Sequence, residues 1–184
     1  MSKSKFFIAI LPPKKISKEI LEFQKEIESN YGAKHAQKAP PHITVIPPFD
    51  ANEVPIESLI KKLQLYDFGG ESIEIKLENF QTFDQRTLFV DVAKNERLEH
   101  FSKAVKLLFN HQKIIPQRQE KHFFVPHITL ANRDLRKSDF KAVANEFKKR
   151  IYQRNFFLNQ LSVLKLEGRK WELFEIINVN FKGA

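Results

Sequence analysis

The sequence predicts an α+β fold in which two pseudo-twofold-related lobes, each with a mainly antiparallel sheet and flanking helices, surround a central cleft. Three observations support it. The two halves of the 184-residue chain repeat one order of apolar patterns, each half carries a Pro-His-Ile-Thr segment at an equivalent position, and no Gly/Ser-rich linker separates them. We therefore expect one bilobal domain over residues 1–184, with lobes formed roughly by residues 1–84 and 85–184.

The first half reads as strand, helix, strand, helix, strand. A short apolar run closed by Pro12-Pro13 predicts the first strand, and apolar residues three or four apart predict each helix. Pro47-Pro48 is expected to end the second strand, and alternation of apolar and charged residues predicts the third. The elements are expected at residues 6–11, 16–31, 42–46, 56–63 and 73–77.

The second half follows the same order. Ser138 is expected to cap its second helix, and the turn at Gly168-Arg169-Lys170 is expected to separate the last two strands. The elements are expected at residues 88–92, 98–108, 123–130, 140–151, 156–166 and 171–181.

The composition restricts the function classes. Cysteine is absent, which excludes disulfides, thiolate nucleophiles and Cys-based zinc sites. There is no run of about 18 apolar residues, and the short apolar start lacks the features of a secretory signal, so we expect a cytoplasmic protein without a membrane partner. The formal charge of +9 favours polyanionic partners, although a basic surface alone also suits a soluble protein with lysine-rich helices.

The candidate site consists of the repeated His and Thr residues. His42 and Thr44 lie two residues apart on one predicted strand, as do His127 and Thr129 on another, and residues two apart on a strand point to the same face. Either motif alone would more often be structural, since short motifs recur by chance. The repetition at equivalent positions favours a site that brings two imidazoles and two hydroxyls together.

This set of groups suits attack on a phosphate ester. An imidazole titrates near neutral pH, so one His can remove a proton from the attacking oxygen while the other protonates the leaving oxygen. The Thr hydroxyls could donate hydrogen bonds to the non-bridging phosphate oxygens, or could instead bond neighbouring backbone. The sequence leaves open which His is the acid and which the base.

Other residues are weaker candidates. Arg133 shares the parity of His127 and Thr129, so its guanidinium could reach a phosphate, unless it is only a solvated strand end. Neither motif contains Asp, Glu or Cys, and no phosphate- or dinucleotide-binding glycine motif is present, so we expect no metal and no cofactor. The remaining histidines show no ligand spacing: His35, His100, His111 and His122. The aromatic residues that could stack on a base, or simply fill the core, are Phe49, Phe83, Phe123 and Trp171.

In its two tetrapeptides, His42-Ile43-Thr44-Val45 and His127-Ile128-Thr129-Leu130, the chain resembles the 2H phosphoesterase superfamily, which includes the 2′-5′ RNA ligase-like proteins. The resemblance implies a bilobal α+β fold and metal-independent chemistry on 2′,3′-cyclic nucleotide or RNA ends. It assigns the two His as the acid–base pair and the two Thr as phosphate ligands. The chain departs from many such members at Ile46-Pro47-Pro48-Phe49, where they have a Phe/Leu-Gly turn.

The expected function is therefore hydrolysis of 2′,3′-cyclic phosphate ends of RNA or nucleotides, with no obligate protein partner. Two alternatives stay open. The same cleft could join RNA ends through 2′-5′ bonds, as some members of the superfamily do. A non-catalytic RNA-binding module could also have kept the cleft, although binding alone does not require two titratable histidines.

Overall fold

Eight strands in the described part of the chain pair into one sheet, with the order β6-β3-β4-β5-β2-β1-β7-β8, and each neighbouring pair of strands is antiparallel. The computed structural model describes residues 3–111, with His111 as backbone only, and residues 124–181. The strands are β1 (Ser4–Ile10), β2 (Ile43–Ala51), β3 (Ile73–Phe83), β4 (Thr87–Val92), β5 (His127–Ala131), β6 (Gln153–Leu158), β7 (Gln160–Glu167) and β8 (Lys170–Asn178). The helices are α1 (Lys14–Tyr31), α2 (Glu53–Leu65), α3 (Glu96–His111) and α4 (Lys137–Phe147), with a 3₁₀ turn at His35–Lys38.

The two motif strands, β2 and β5, are neighbours at the centre of the sheet. Moving outward, β2 is followed by β1, and β5 is followed by β4. The unit β1-α1-β2-α2 therefore corresponds to β4-α3-β5-α4, which is the relation expected for pseudo-twofold lobes. The α+β fold with antiparallel strands and flanking helices is confirmed.

The first helix of each unit packs against the motif strand of the other unit. α1 packs against β5 and α3 against β2, so each helix covers the motif strand of the other unit. The face of the sheet under the helices is apolar, and it includes Ile43 and Val45 of β2 and Ile128 and Leu130 of β5, all fully buried. Because side chains alternate along a strand, the His and Thr residues between them lie on the opposite face.

The strands are not divided between the lobes by chain order. The boundary expected near residue 84 falls in the hairpin between β3 and β4, whose strands pair with each other, and β7 and β8 lie beside β1. The sides of the sheet are therefore built from interleaved segments of the two halves.

Pro47-Pro48 does not end the second strand, contrary to the prediction. β2 continues to Ala51, and its register with β1 shifts between the pairs Phe6–Phe49 and Ile8–Ile46. Proline cannot donate to a ladder, but a bulge tolerates the missing donor and bends the strand. A strand can therefore pass through a proline pair when its partner is offset.

Three smaller predictions were also wrong. Ser138 lies inside α4 and bonds Asp139, and the N-cap position is Arg136 without a side-chain cap. Ile151 lies beyond the end of α4 and is exposed, so it does not extend the buried stripe. The strand expected over 156–166 is two strands, β6 and β7, separated at Asn159. In the part of the chain that the structure describes, no helix is long and apolar enough to cross a membrane.

Candidate active site

The register between β2 and β5 places the two motifs directly against each other. Ile43 is the cross-strand partner of Ile128, and extending that pair by one residue in each direction sets Thr44 opposite His127 and His42 opposite Thr129. All four side chains share the sheet face away from the helices. We therefore expect the hydroxyl nearest to each imidazole to come from the other motif, because directly opposite residues lie closer than residues two apart on one strand.

Each imidazole is oriented by a backbone carbonyl two residues before it. His42 Nδ1 lies 2.7 Å from the Pro40 carbonyl oxygen, and His127 Nδ1 lies 2.7 Å from that of Val125. A carbonyl only accepts, so Nδ1 carries the hydrogen in both rings and Nε2 remains for chemistry. The proline between carbonyl and histidine in each motif, Pro41 or Pro126, fixes φ and helps to hold this geometry.

Each ring also packs against phenylalanine from the neighbouring strand of its own unit. The His42 ring lies 4.8 Å from Phe7 of β1, and the His127 ring lies 5.1 Å from Phe89 of β4, centroid to centroid. Phe83 adds an edge contact to His127 at 5.0 Å. Burial lowers the pKa of both histidines below the ordinary value, and the carbonyl hydrogen bonds oppose that effect only in part.

A cleft of about 570 Å³ opens beside the motif strands. His42, Thr44 and Thr129 line it, whereas His127 lies on the same sheet face but outside its lining. Trp171 forms one wall and packs edge-on against Phe7 at 4.7 Å, behind the His42 ring. The cleft is large enough for a nucleotide-sized ligand.

The rim of the cleft is basic. Lys38, Arg133 and Arg169 all line it, and the positive charges of Lys38 and Arg133, after burial, lower the pKa of His35 at the same rim. The Asp134 carboxylate accepts the backbone N–H groups of Lys34 and His35 at 2.8 and 2.7 Å, which fixes the 3₁₀ turn to the loop after β5. This rim provides positive charge for an anionic ligand.

Arg133 reaches the cleft by a different route from the one its parity predicted. β5 ends at Ala131, and Arg133 lies past the strand in the left-handed region, with φ of 51°. Its side chain is exposed and lines the cleft beside Thr129. Of the candidate aromatic residues, Trp171 lines the cleft, Phe83 contacts His127, and Phe49 is buried in the core. Phe123 and His122 lie outside the described residues.

Sequence reasoning missed several polar residues of the cleft. Gln24 is almost fully buried, and its Nε2 donates to the Thr129 carbonyl oxygen at 2.8 Å. Gln24 Oε1 and Asn132 Oδ1 are buried without a hydrogen-bond partner among the described residues. Gln24 occupies a position of the α1 stripe where an apolar residue is expected, and that signal could have identified it.

Asp91 was also missed. It lies on β4 as the direct cross-strand partner of His127, between buried Val90 and Val92, so it shares the face of the histidines. The alternation of β4 predicts the strand, and a charged residue between its buried valines is the signal that could have identified Asp91. Among residues 3–111 and 124–181, no group of three or more His, Asp or Glu side chains is arranged to hold a metal ion.

The sequence matches the family model described as 2′-5′ RNA ligase superfamily over residues 12–170, and the chain belongs to that superfamily, which is also known as the 2H phosphoesterases. Its relatives include proteins named "Putative phosphoesterase". One from Geobacillus sp. (strain WCH70) is 26% identical over 97% of this chain and 98% of its own length. Another, from Geobacillus kaustophilus (strain HTA426), is 28% identical with the same coverage.

Solved structures share the fold at low sequence identity. The crystal structure of E. coli LigT complexed with 3′-AMP superposes with a TM-score of 0.68 and 12% identity, covering 96% of this chain and 98% of LigT. The MHV ns2 PDE domain superposes with a TM-score of 0.55 and 15% identity, covering 91% of this chain and all of that domain. The fold and the family together define this protein as a phosphoesterase of the LigT-like class.

Proposed function

We propose that this protein hydrolyses 2′,3′-cyclic phosphate ends of RNA or nucleotides, using His42 and His127 as a metal-independent acid–base pair. The observation that carries the proposal is the β2–β5 register, which sets two imidazoles and two hydroxyls on one face of the sheet. The basic cleft beside them supports an anionic substrate.

The reaction follows from the free Nε2 atoms. One neutral imidazole removes a proton from water as the water oxygen attacks phosphorus. The protonated imidazole transfers its proton to the 3′ oxygen as the phosphorus–oxygen bond breaks. The products are a 2′-phosphate and a 3′-hydroxyl, and each proton-transfer role typically contributes about 10²–10⁴ in rate.

Thr44 and Thr129 would bind the non-bridging phosphate oxygens. A β-branched side chain has few rotamers, so each hydroxyl is held in place before the substrate arrives. Donors aimed at oxygens that gain charge in the transition state act like an oxyanion hole. Arg133, at the rim, would add a guanidinium to the same phosphate or to a neighbouring one.

The cleft would hold the nucleoside. Trp171 offers an aromatic surface at its wall, and stacking on an aromatic side chain is a common way to hold an unpaired base. The LigT structure with 3′-AMP supports a nucleotide as the type of ligand, because it shows the same fold binding one.

The test is an assay of the purified protein with 2′,3′-cyclic AMP in the presence of EDTA, followed by separation of 2′-AMP and 3′-AMP. We expect His42→Ala and His127→Ala each to lower kcat by about 10²–10⁴. His100→Ala, which removes an exposed histidine on α3, is the matched control and should retain wild-type activity. Full activity in either site variant, or loss of wild-type activity with EDTA, would refute the mechanism.

A second candidate function is the joining of RNA ends, which the name of the superfamily favours. It would use the same cleft and replace water with a 5′-hydroxyl as the attacking group. Incubating RNA halves that end in a 2′,3′-cyclic phosphate and a 5′-hydroxyl distinguishes the two functions, because ligation yields a longer RNA and hydrolysis yields a 2′-phosphate. A wild type that binds RNA and converts neither substrate would favour the non-catalytic module.

A further inference from the structure

The two histidines have equivalent local geometry but different electrostatic surroundings. Asp91 of β4 lies directly opposite His127 and on the same face of the sheet. Its carboxylate is half-buried, and Oδ1 accepts the backbone N–H of Val92 at 3.0 Å, which limits its movement. Glu78 of β3 adds a second carboxylate near Asp91. His127 therefore has negative charge beside it.

His42 has the opposite surroundings. Extending the Ile10–Ile43 pair by one residue makes Leu11 the position that corresponds to Asp91, and Leu11 carries no charge. The cleft that His42 lines carries the cations Lys38, Arg133 and Arg169. In the described part of the chain, the charged group that acts on His42 is His127 itself. The pseudo-twofold pair is therefore electrostatically asymmetric.

We infer that Asp91 is a positioning residue that favours protonation of His127 over His42, so that His127 is the general acid and His42 is the general base. The assignment of catalytic roles rests on the proposed function. In the state that reacts, His42 Nε2 is unprotonated and His127 Nε2 carries a proton. Water gives its proton to His42, His127 gives its proton to the leaving 3′ oxygen, and solvent restores both rings after turnover.

The charges around the pair support this order. Burial lowers the pKa of both rings, and a proton on His127 lowers the pKa of His42 further, so simultaneous protonation of both rings is disfavoured. The Asp91 charge raises the pKa of His127 against the effect of burial. Burial and Glu78 raise the pKa of Asp91 itself, whereas the Val92 N–H and His127 lower it. The titratable groups that act here are therefore Asp91 on β4, Glu78 on β3 and His42 on β2.

The first test is an NMR titration of the imidazole Cε1–H signals, assigned with His42→Gln and His127→Gln. In the wild type we expect His127 to have the higher apparent pKa. In Asp91→Asn we expect that pKa to fall by about 0.5–1 unit, because a half-buried neighbouring charge is removed. Asp50→Asn is the matched control, since it removes a carboxylate at the far end of β2 that pairs with Lys5. It should leave both histidine titrations unchanged.

The second test is the pH dependence of kcat with 2′,3′-cyclic AMP. Asp91→Asn should move the alkaline limb to lower pH by the same 0.5–1 unit, which is a loss of about three- to tenfold above that limb. The acid limb should stay in place. If the wild type does not turn over the nucleotide, the proposed function fails, while the titration still decides where the proton resides. A lower pKa for His127 than for His42 in the wild type, or an unchanged His127 pKa in Asp91→Asn, would overturn the inference.

Discussion

The cross-strand pairing of the motifs predicts which site residues act together. Residues two apart on one strand are separated by about 6.6 Å along it, whereas directly opposite residues on paired antiparallel strands have Cβ atoms about 4.5–5.5 Å apart. Thr44 should therefore share its phosphate contact with His127, its cross-strand partner, more than with His42 of its own motif.

Double-mutant cycles on kcat/KM test this pairing. Thr44→Val removes one donor to the developing charge and should by itself lower kcat by about 10²-fold, as the loss of an oxyanion donor does. Combined with His127→Ala, it should show a coupling of about 1 kcal/mol or more, a factor of about five. Combined with His42→Ala, the coupling should be smaller.

Thr44→Ser is the control, because it keeps the hydroxyl and should retain most of the activity. Assays of cyclic nucleotide hydrolysis at one pH suffice, provided that all variants unfold at similar urea concentrations. A coupling to His42 equal to or larger than that to His127 would refute the argument that the working pairs are formed between motifs.

Three further predictions follow from the site. Burial lowers the folded-state pKa of His42 and His127, so below about pH 6.5 the unfolded chain binds more protons than the folded chain. The free energy of unfolding should therefore fall as pH drops from about 6.5 toward the folded-state pKa. Urea unfolding at pH 7.5 and 5.5 should show a smaller decrease for the double His→Asn variant than for the wild type. Arg169→Gln should raise KM for the nucleotide several-fold with little change in kcat, and its KM should depend less steeply on salt, as steady-state kinetics at two salt concentrations would show. Gln24→Ala should destabilise the protein by about 1–3 kcal/mol, because it leaves a cavity and removes the donor to the Thr129 carbonyl. Gln24→Leu fills the cavity and should destabilise it less. Equal losses of stability in urea unfolding would contradict this reasoning.

The sequence predicted the order and type of most elements because their signals are local. The stripe of α1 and the alternation of β4 depend on residues close together in the chain, and both elements have nearly the predicted bounds. The errors lie where distant residues decide the outcome. β2 passes through Pro47-Pro48 because the offset of β1 accommodates a bulge, and no local pattern contains that offset.

The same distinction explains what was predicted of the site. The parity of His and Thr on a strand is local, so the face that they share could be predicted. The pairing of β2 with β5 is not local, and neither is the placement of α1 against β5, which brings Gln24 to the Thr129 carbonyl. Arg133 lies beyond the end of β5, so its parity along the strand does not determine where it points. It lines the cleft because the loop after β5 turns back toward the 3₁₀ turn.

Pseudo-symmetry accounts for the likeness of the two histidines but cannot account for catalysis. Two equivalent imidazoles would share a proton equally, and acid–base transfer requires that one be protonated while the other is not. A contribution of the protein to this difference would come from residues that the repeat does not duplicate. Phe7 and Phe89 each give one ring an apolar neighbour. The register position in β1 that corresponds to Asp91 is Leu11, which carries no charge. If Asp91 acts as proposed, the direction of proton transfer depends on the strand beside the motif, which the motif sequence itself does not reveal.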